Sequence, residues 1–227
     1  MKLSVVGTLA AGLCNVLLGA WCVYQEGAPV LRGGGNSFER LAVMNTADRT
    51  IGASLLSQAT ALRDCQTVLL AYNSARMAVM PEAFKADVPA QCAALADGVL
   101  QASPVHGLAE LVLAQVADIT GDAAALDRHL QRSQAMAPSE TRVLLPRVNL
   151  AETHIEALSD PTMQRHQQDI GTLLKSGKGV WLLASLYVRD EGARSRIQAA
   201  LASSSPDDQS RFLWAVRQTI DLRGSAS

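Results

Sequence analysis

From Leu3 to Gln25 no charged residue interrupts the chain, and the stretch LSVVGTLAAGLCNVLLGAWCVY is long enough, at 1.5 Å per helical residue, to cross a hydrocarbon core about 30 Å thick. After Ser37 the pattern changes to apolar positions recurring at helical spacing, punctuated by proline, glycine and capping residues, with almost no strand-like alternation. FERLAVMNTADRTIGASLLSQATALRDCQTVLLAYN predicts one long helix, or two interrupted between Asn45 and Gly52. VPAQCAALADGVLQA predicts another, with Pro89 in its first turn and a stop before Ser103-Pro104. Leu108, Leu111, Val112 and Val116 share one face, Thr120-Gly121-Asp122 makes a turn, and Leu126, Leu130 and Ser133 continue on an antiparallel partner. Leu144, Val148, Ala151, Ile155 and Leu158 form a third face, which requires Pro146 in a first turn or at a kink. Asp160-Pro161 reads as a cap followed by proline at the first helical position. GVWLLASLYVRD, too short for a bilayer, predicts a buried core helix, and Ser205 to Asp208 a capping box before a helix through Phe212, Val216 and Ile220.

This reading gives three segments: an anchor over residues 1–25, a glycine-rich linker over 26–36, and an α-helical domain over 37–224. Lys2 and the amino terminus precede the apolar stretch, while Trp21 and Tyr24 sit near its far end, where aromatic rings suit the membrane interface. The positive amino end favours a cytoplasmic N-terminus, so the helical domain is expected outside the cytoplasm. A cleaved signal peptide is the competing reading; Leu18 and Glu26, at the third position before the plausible cuts after Ala20 and Ala28, do not match a small-x-small site. Gly33 to Gly35 read as a tether, or else as a short loop between two packed helices.

Composition supports the all-α class: the chain is 48% hydrophobic but only 4% aromatic, its apolar content being mostly alanine and leucine. A net charge of −1, without a basic stripe, argues against nucleic acid as a partner. Cys14 and Cys22 fall within the apolar span, which leaves Cys65 and Cys92 for the helical domain. Outside the cytoplasm these two are expected to form a disulfide between adjacent antiparallel helices; two separate buried thiols are the alternative.

Residues 102–140 carry a more specific signal. Pro104 and Pro138 bracket the Gly121-Asp122 turn, with Leu113 and Ala114 on the first helix and Leu130 and Ser133 on the second. The stretch resembles a tetratricopeptide repeat, a unit of about 34 residues in which small residues permit close helix approach and proline stops the second helix. One period earlier, Cys92 and Val99 occupy the corresponding second helix, so the resemblance covers Cys92 to about Val143. The wider layout, with its N-terminal span, LRDCQTVLL, QCAALADGVLQASP, LLKSGKGVWLLASLYVRD and FLWAVRQ, is similar to membrane-anchored, tetratricopeptide-like proteins associated with bacterial exopolysaccharide synthesis and export. That resemblance implies a single-pass protein of the bacterial inner membrane with a periplasmic helical domain.

Catalytic chemistry is thinly represented. His106, His129, His154 and His166 are widely spaced, give no metal-ligand pattern, and read as surface or capping residues. KSGKG at Lys175 to Gly179 lacks the order of a phosphate-binding loop and reads as a helix connection; SSSPDD lacks a histidine to make a triad. No cofactor or metal is expected. Arg128, Arg132, Arg142 and Arg147 cluster around the repeat-like hairpin and are the candidate partner-binding face, although such residues ordinarily form a solvated helical surface. The expectation is a non-enzymatic, membrane-tethered scaffold that binds a protein partner, with polysaccharide contact open. The alternatives are a structural component of a secretion or pilus system, and a polysaccharide hydrolase using carboxylates such as Asp118, Asp122 or Asp127.

Overall fold

The computed structural model describes residues 2–32, 35–46 and 54–224, and every regular element among them is helical. The chain divides into two compact units, residues 1–99 and residues 100–227.

The first unit begins with α1 (Lys2–Arg32), within which Gly7–Tyr24 is long and apolar enough to cross a membrane, at mean hydropathy 1.5 and with none of that window buried. The helix continues through Arg32, where the sequence suggested a linker; Gly33 and Gly34 lie outside the described residues. Glu26 explains part of this continuation. Its carboxylate accepts the Ser54 backbone N–H at 2.8 Å and the hydroxyls of Ser54 and Ser57, at the N-terminus of the third helix, where an anion is favoured by the helix dipole.

The next helices are α2 (Ser37–Thr46) and α3 (Leu55–Leu70), two helices rather than one; the expected interruption between Asn45 and Gly52 falls largely outside the described residues. α2 and α3 pack together, and the Arg40 guanidinium grips Asp64 with two bonds of 2.7 and 2.6 Å. The paired Asp64 carboxylate raises the Arg40 pKa further, through its hydrogen bond, against the opposing effect of burial. Phe38, beneath the Arg76 guanidinium at 4.3 Å from its ring centre, joins Leu41, Leu62, Val68, Met77 and Val88 in the core.

A short α4 (Ala75–Ala78) leads to α5 (Glu82–Ala102), which starts six residues earlier than the sequence suggested and therefore holds Pro89 in its interior. Proline cannot donate to the carbonyl four residues back, that of Lys85. The Tyr72 hydroxyl donates to it instead, at 3.2 Å, so an interior proline costs the helix a donor without stranding an acceptor. Cys65 on α3 and Cys92 on α5 form a disulfide with 5.6 Å between their Cα atoms, both buried in this core.

The second unit opens with α6 (Gly107–Thr120) and α7 (Ala123–Met136), which pack against each other across the expected Gly-Asp turn. Gly121 takes φ +75°, a left-handed conformation, and places the Asp122 N–H on the Ala117 carbonyl at 2.9 Å. The Asp122 side chain then accepts from Ala125 N–H at 2.9 Å and so caps α7. At the other end of the pair the helices nearly touch: a Cβ on Gly107 would lie 2.4 Å from that of Ala137. The Ser133 hydroxyl donates to the Gly107 carbonyl at 2.8 Å across the same contact.

Then follow α8 (Thr141–Thr153), a 3-10 turn (Ile155–Ala157), α9 (Asp160–Leu174), α10 (Gly177–Arg189), α11 (Glu191–Ala202) and α12 (Pro206–Gly224). Pro146 sits past the first turn of α8, inside the helix, and α8 ends before Ile155, which with Leu158 is only half-buried. The cap of α9 is Ser159, one residue before the expected Asp160. α9 packs against α7, α8, α10 and α11. The hydrophobic core comprises Leu144, Val148, Ile170, Leu173, Leu174, Leu183, Ile197 and Phe212 among others. Lys175 to Gly179 is a tight connection in which Ser176 caps α10 through Gly179 N–H at 2.8 Å. Ser205 caps α12 reciprocally with Asp208.

Replacing Cys65 and Cys92 together with serine is expected to lower the unfolding free energy of the full chain by about 3 to 4 kcal/mol. Denaturant titration in detergent, followed by circular dichroism, measures it; an unchanged midpoint would show that the crosslink contributes nothing.

Candidate partner-binding groove

The second unit concentrates its buried charge on the helices that follow the Gly-Asp hairpin. Arg147, on α8, is completely buried, which contradicts its expected place on a partner-binding face. Its Nε and Nη2 each donate to an Asp169 carboxylate oxygen at 2.8 Å. Its remaining donors go to the C-terminus of α7: the Ser133 carbonyl at 3.0 Å, the Ser133 hydroxyl at 3.2 Å, and the Ala137 carbonyl at 3.2 Å. A guanidinium taken out of water survives because every face of its fork is matched; here it also satisfies the Ala137 carbonyl at the helix end and shares the Ser133 carbonyl with the Ala137 N–H.

A second buried cluster joins α8, α9 and α11. Glu152 accepts from His166 Nε2 at 2.8 Å, from Arg196 Nε at 3.2 Å, and closely from Arg196 Nη2. Burial alone would raise the Glu152 pKa; hydrogen bonds from His166 and Arg196 outweigh it and hold the carboxyl below its ordinary range. The Glu152 hydrogen bond, opposed by burial, raises Arg196 in turn. Since an ionised carboxylate only accepts, the proton between His166 and Glu152 belongs to His166 Nε2. His166 Nδ1 is buried without a partner. His166 is thus a core residue, not the surface or capping residue the sequence suggested.

The other histidines are more peripheral. His106 caps α6 through Nδ1 and the Ala109 N–H at 3.3 Å, as expected. His129 lies 2.6 Å from the buried Glu110 carboxylate, with Arg132 a more distant 3.7 Å away, and His154 lies 2.7 Å from Asp118. Asp118 is therefore engaged with His154, Asp122 with the α7 cap, and Asp127 with Ser159 N–H at 3.0 Å; each candidate hydrolytic carboxylate has its own local partner.

Above the Arg147–Asp169 pair lies a groove of about 310 Å³ between the C-terminal half of α7 and α9, lined by Gln134, Ala135, Pro138, Arg165, Gln168, Asp169 and Thr172. Gln134 donates through Nε2 to the Thr162 carbonyl at 3.3 Å, while its buried Oε1 has no partner. Arg165 is half-buried and reaches the Gln131 carbonyl at 3.5 Å, and Gln168 is exposed. The lining offers amide donors and acceptors, one cation and a rigid proline edge. Arg128, Arg132 and Arg142 are exposed, but none of them lines this groove. No group of three or more histidine, cysteine, aspartate or glutamate residues able to hold a metal occurs among the described residues.

Comparison with family models, curated proteins and solved structures finds no match to the chain.

Truncating Arg147 to alanine strands Asp169 and is expected to cost about 3 to 5 kcal/mol, whereas replacing both by apolar residues of similar volume recovers most of that loss. Equilibrium unfolding of the two variants distinguishes these outcomes. Glu152 sets a pH dependence: its depressed pKa contributes stability above the ordinary carboxylate range, and this is lost as pH falls through the folded-state value. Glu152→Gln is accordingly expected to flatten the acid limb of a stability profile measured by denaturation at successive pH values.

Proposed function

We propose that the protein is a membrane-tethered adaptor whose second unit holds a segment of a protein partner in the α7–α9 groove. The groove itself carries this reading: its lining of glutamine amides, threonine and a single arginine matches the alternating donors and acceptors of a peptide backbone with an acidic or carbonyl-rich side. The groove walls are held by the Arg147–Asp169 pair beneath them, so little ordering would be required on binding.

The helical hairpin of α6 and α7, with Gly107 and Ala137 in close approach, supports a tetratricopeptide-like mode in which helix faces, not a catalytic point, make the contacts. The apolar stretch Gly7–Tyr24 would act as a single-pass anchor, raising the local concentration of the groove at the membrane so that a modest affinity suffices. The disulfide suits an oxidising compartment, which for an inner-membrane anchor with a cytoplasmic N-terminus is the periplasm. Within that setting, the resemblance in layout points to envelope polysaccharide assembly or export as the process served.

A photo-crosslinking residue placed at Gln168 in the full chain in native membranes is expected to capture a discrete partner, identified by mass spectrometry, while one at exposed Gln198 on α11 does not. Arg165→Glu is expected to reduce that capture about tenfold, the equivalent of about 1.4 kcal/mol. Equal capture at both positions, or capture indifferent to Arg165, would overturn the reading.

A further inference from the structure

The chain has three tryptophans, and all three are exposed: Trp21 at 60%, Trp181 at 40% and Trp214 at 54%. Tryptophan is highly buried on average, so a solvent-facing pair needs an explanation. Trp181 on α10 and Trp214 on α12 stack edge to face with ring centres 5.2 Å apart. The pair lies outside the core that Phe212, Ala215 and Val216 of the same helix enter. Leu213 and Ile220 of α12, each about half exposed, extend the apolar surface on one side.

Three cations stand near the pair along the chain. Lys178 precedes Trp181 by one helical turn, Lys175 stands at the start of the same connection, and Arg217 follows Trp214 by one turn. All three are exposed, and none forms an ion pair among the described residues, unlike Arg40, Arg147 and Arg196. The exposed acids of α12, Asp207 and Asp221, stand two turns from Trp214 on either side, fewer and farther than the cations, which leaves the patch with an excess of positive charge.

We propose that the Trp181–Trp214 patch is a second membrane contact that docks on an anionic lipid surface. An indole ring joins an apolar body to an N–H donor and therefore favours the headgroup boundary, where lysine and arginine side chains meet lipid phosphates. Charge complementarity selects lipid over a second copy of this chain, because the patch would have to meet its own cations across a two-fold interface. A membrane is also the surface to which Gly7–Tyr24 would bring the chain. The contact is independent of the α7–α9 groove.

The test uses the full chain carrying Trp21→Phe, so that emission reports only on Trp181 and Trp214. It is reconstituted in phosphatidylcholine vesicles with or without phosphatidylglycerol, each prepared with plain or brominated acyl chains. In the phosphatidylglycerol vesicles the emission is expected to shift to the blue and be quenched by bromine, with both effects fading as salt is added. Charge reversal by Lys178→Glu with Arg217→Glu is expected to weaken docking by at least about fivefold for each cation, while helix content by circular dichroism stays constant. Solvent-like emission, quenched equally by aqueous iodide in both lipid compositions, overturns the proposal. So does a blue shift without bromine quenching that depends on protein concentration, because it would place another protein surface over the pair.

Discussion

The second unit depends on a charge that has no access to water. Arg147 is fully buried, and a guanidinium in that position is tolerated only if its donors are all engaged. Asp169 supplies the counter-charge from α9, and Ser133 and Ala137 supply carbonyls from the end of α7. Three helices are thereby fixed relative to one planar group. The geometry constrains neighbouring residues as well. Ser133 has to be small and hydroxylated, because it both accepts from Arg147 and donates to the Gly107 carbonyl. Gly107 has no room for a side chain where Ala137 presents its carbonyl to the same arginine.

Directional bonds of this kind matter more in this chain than in one rich in large rings. Aromatic residues make up only 4% of the sequence, and helices faced with alanine, leucine and valine offer few bulky features that would define their register. The buried glutamates take up that task. Glu152 binds α9 and α11 to α8 through His166 and Arg196, and Glu110 binds α7 to α6 through His129. In the first unit the disulfide and the Arg40–Asp64 pair do equivalent work, one covalently and the other by a two-bond ion pair.

The helices and their turns were legible in the sequence because their signals are local. Gly121 needs a left-handed backbone, Asp122 needs an amide to cap, and both requirements are met within a few residues. Ser205 with Asp208 is legible for the same reason. Pro89 was misplaced because its tolerance inside α5 depends on Tyr72, a residue seventeen positions away on the chain and close only after folding. The fate of Arg147 was hidden more deeply. Its neighbours Arg128, Arg132 and Arg142 are exposed, and only pairing with Asp169, on another helix, separates it from them. His166 is the same case, since its carboxylate partner Glu152 belongs to a different helix. The groove followed from none of the arginines that composition singled out, because it is made where α7 and α9 meet, by residues unremarkable in either helix alone.

The buried pair and the groove are consequences of one arrangement. Asp169 faces Arg147 with its carboxylate and also belongs to the lining of the groove, so the ion pair that holds α7, α8 and α9 together also sets the spacing between the groove walls. Apolar replacement of Arg147 and Asp169 would remove a polar residue from that lining even where it preserved stability. Asp169 is itself almost wholly buried, with both carboxylate oxygens held by Arg147, so what it contributes to the lining is fixed in place by the pair.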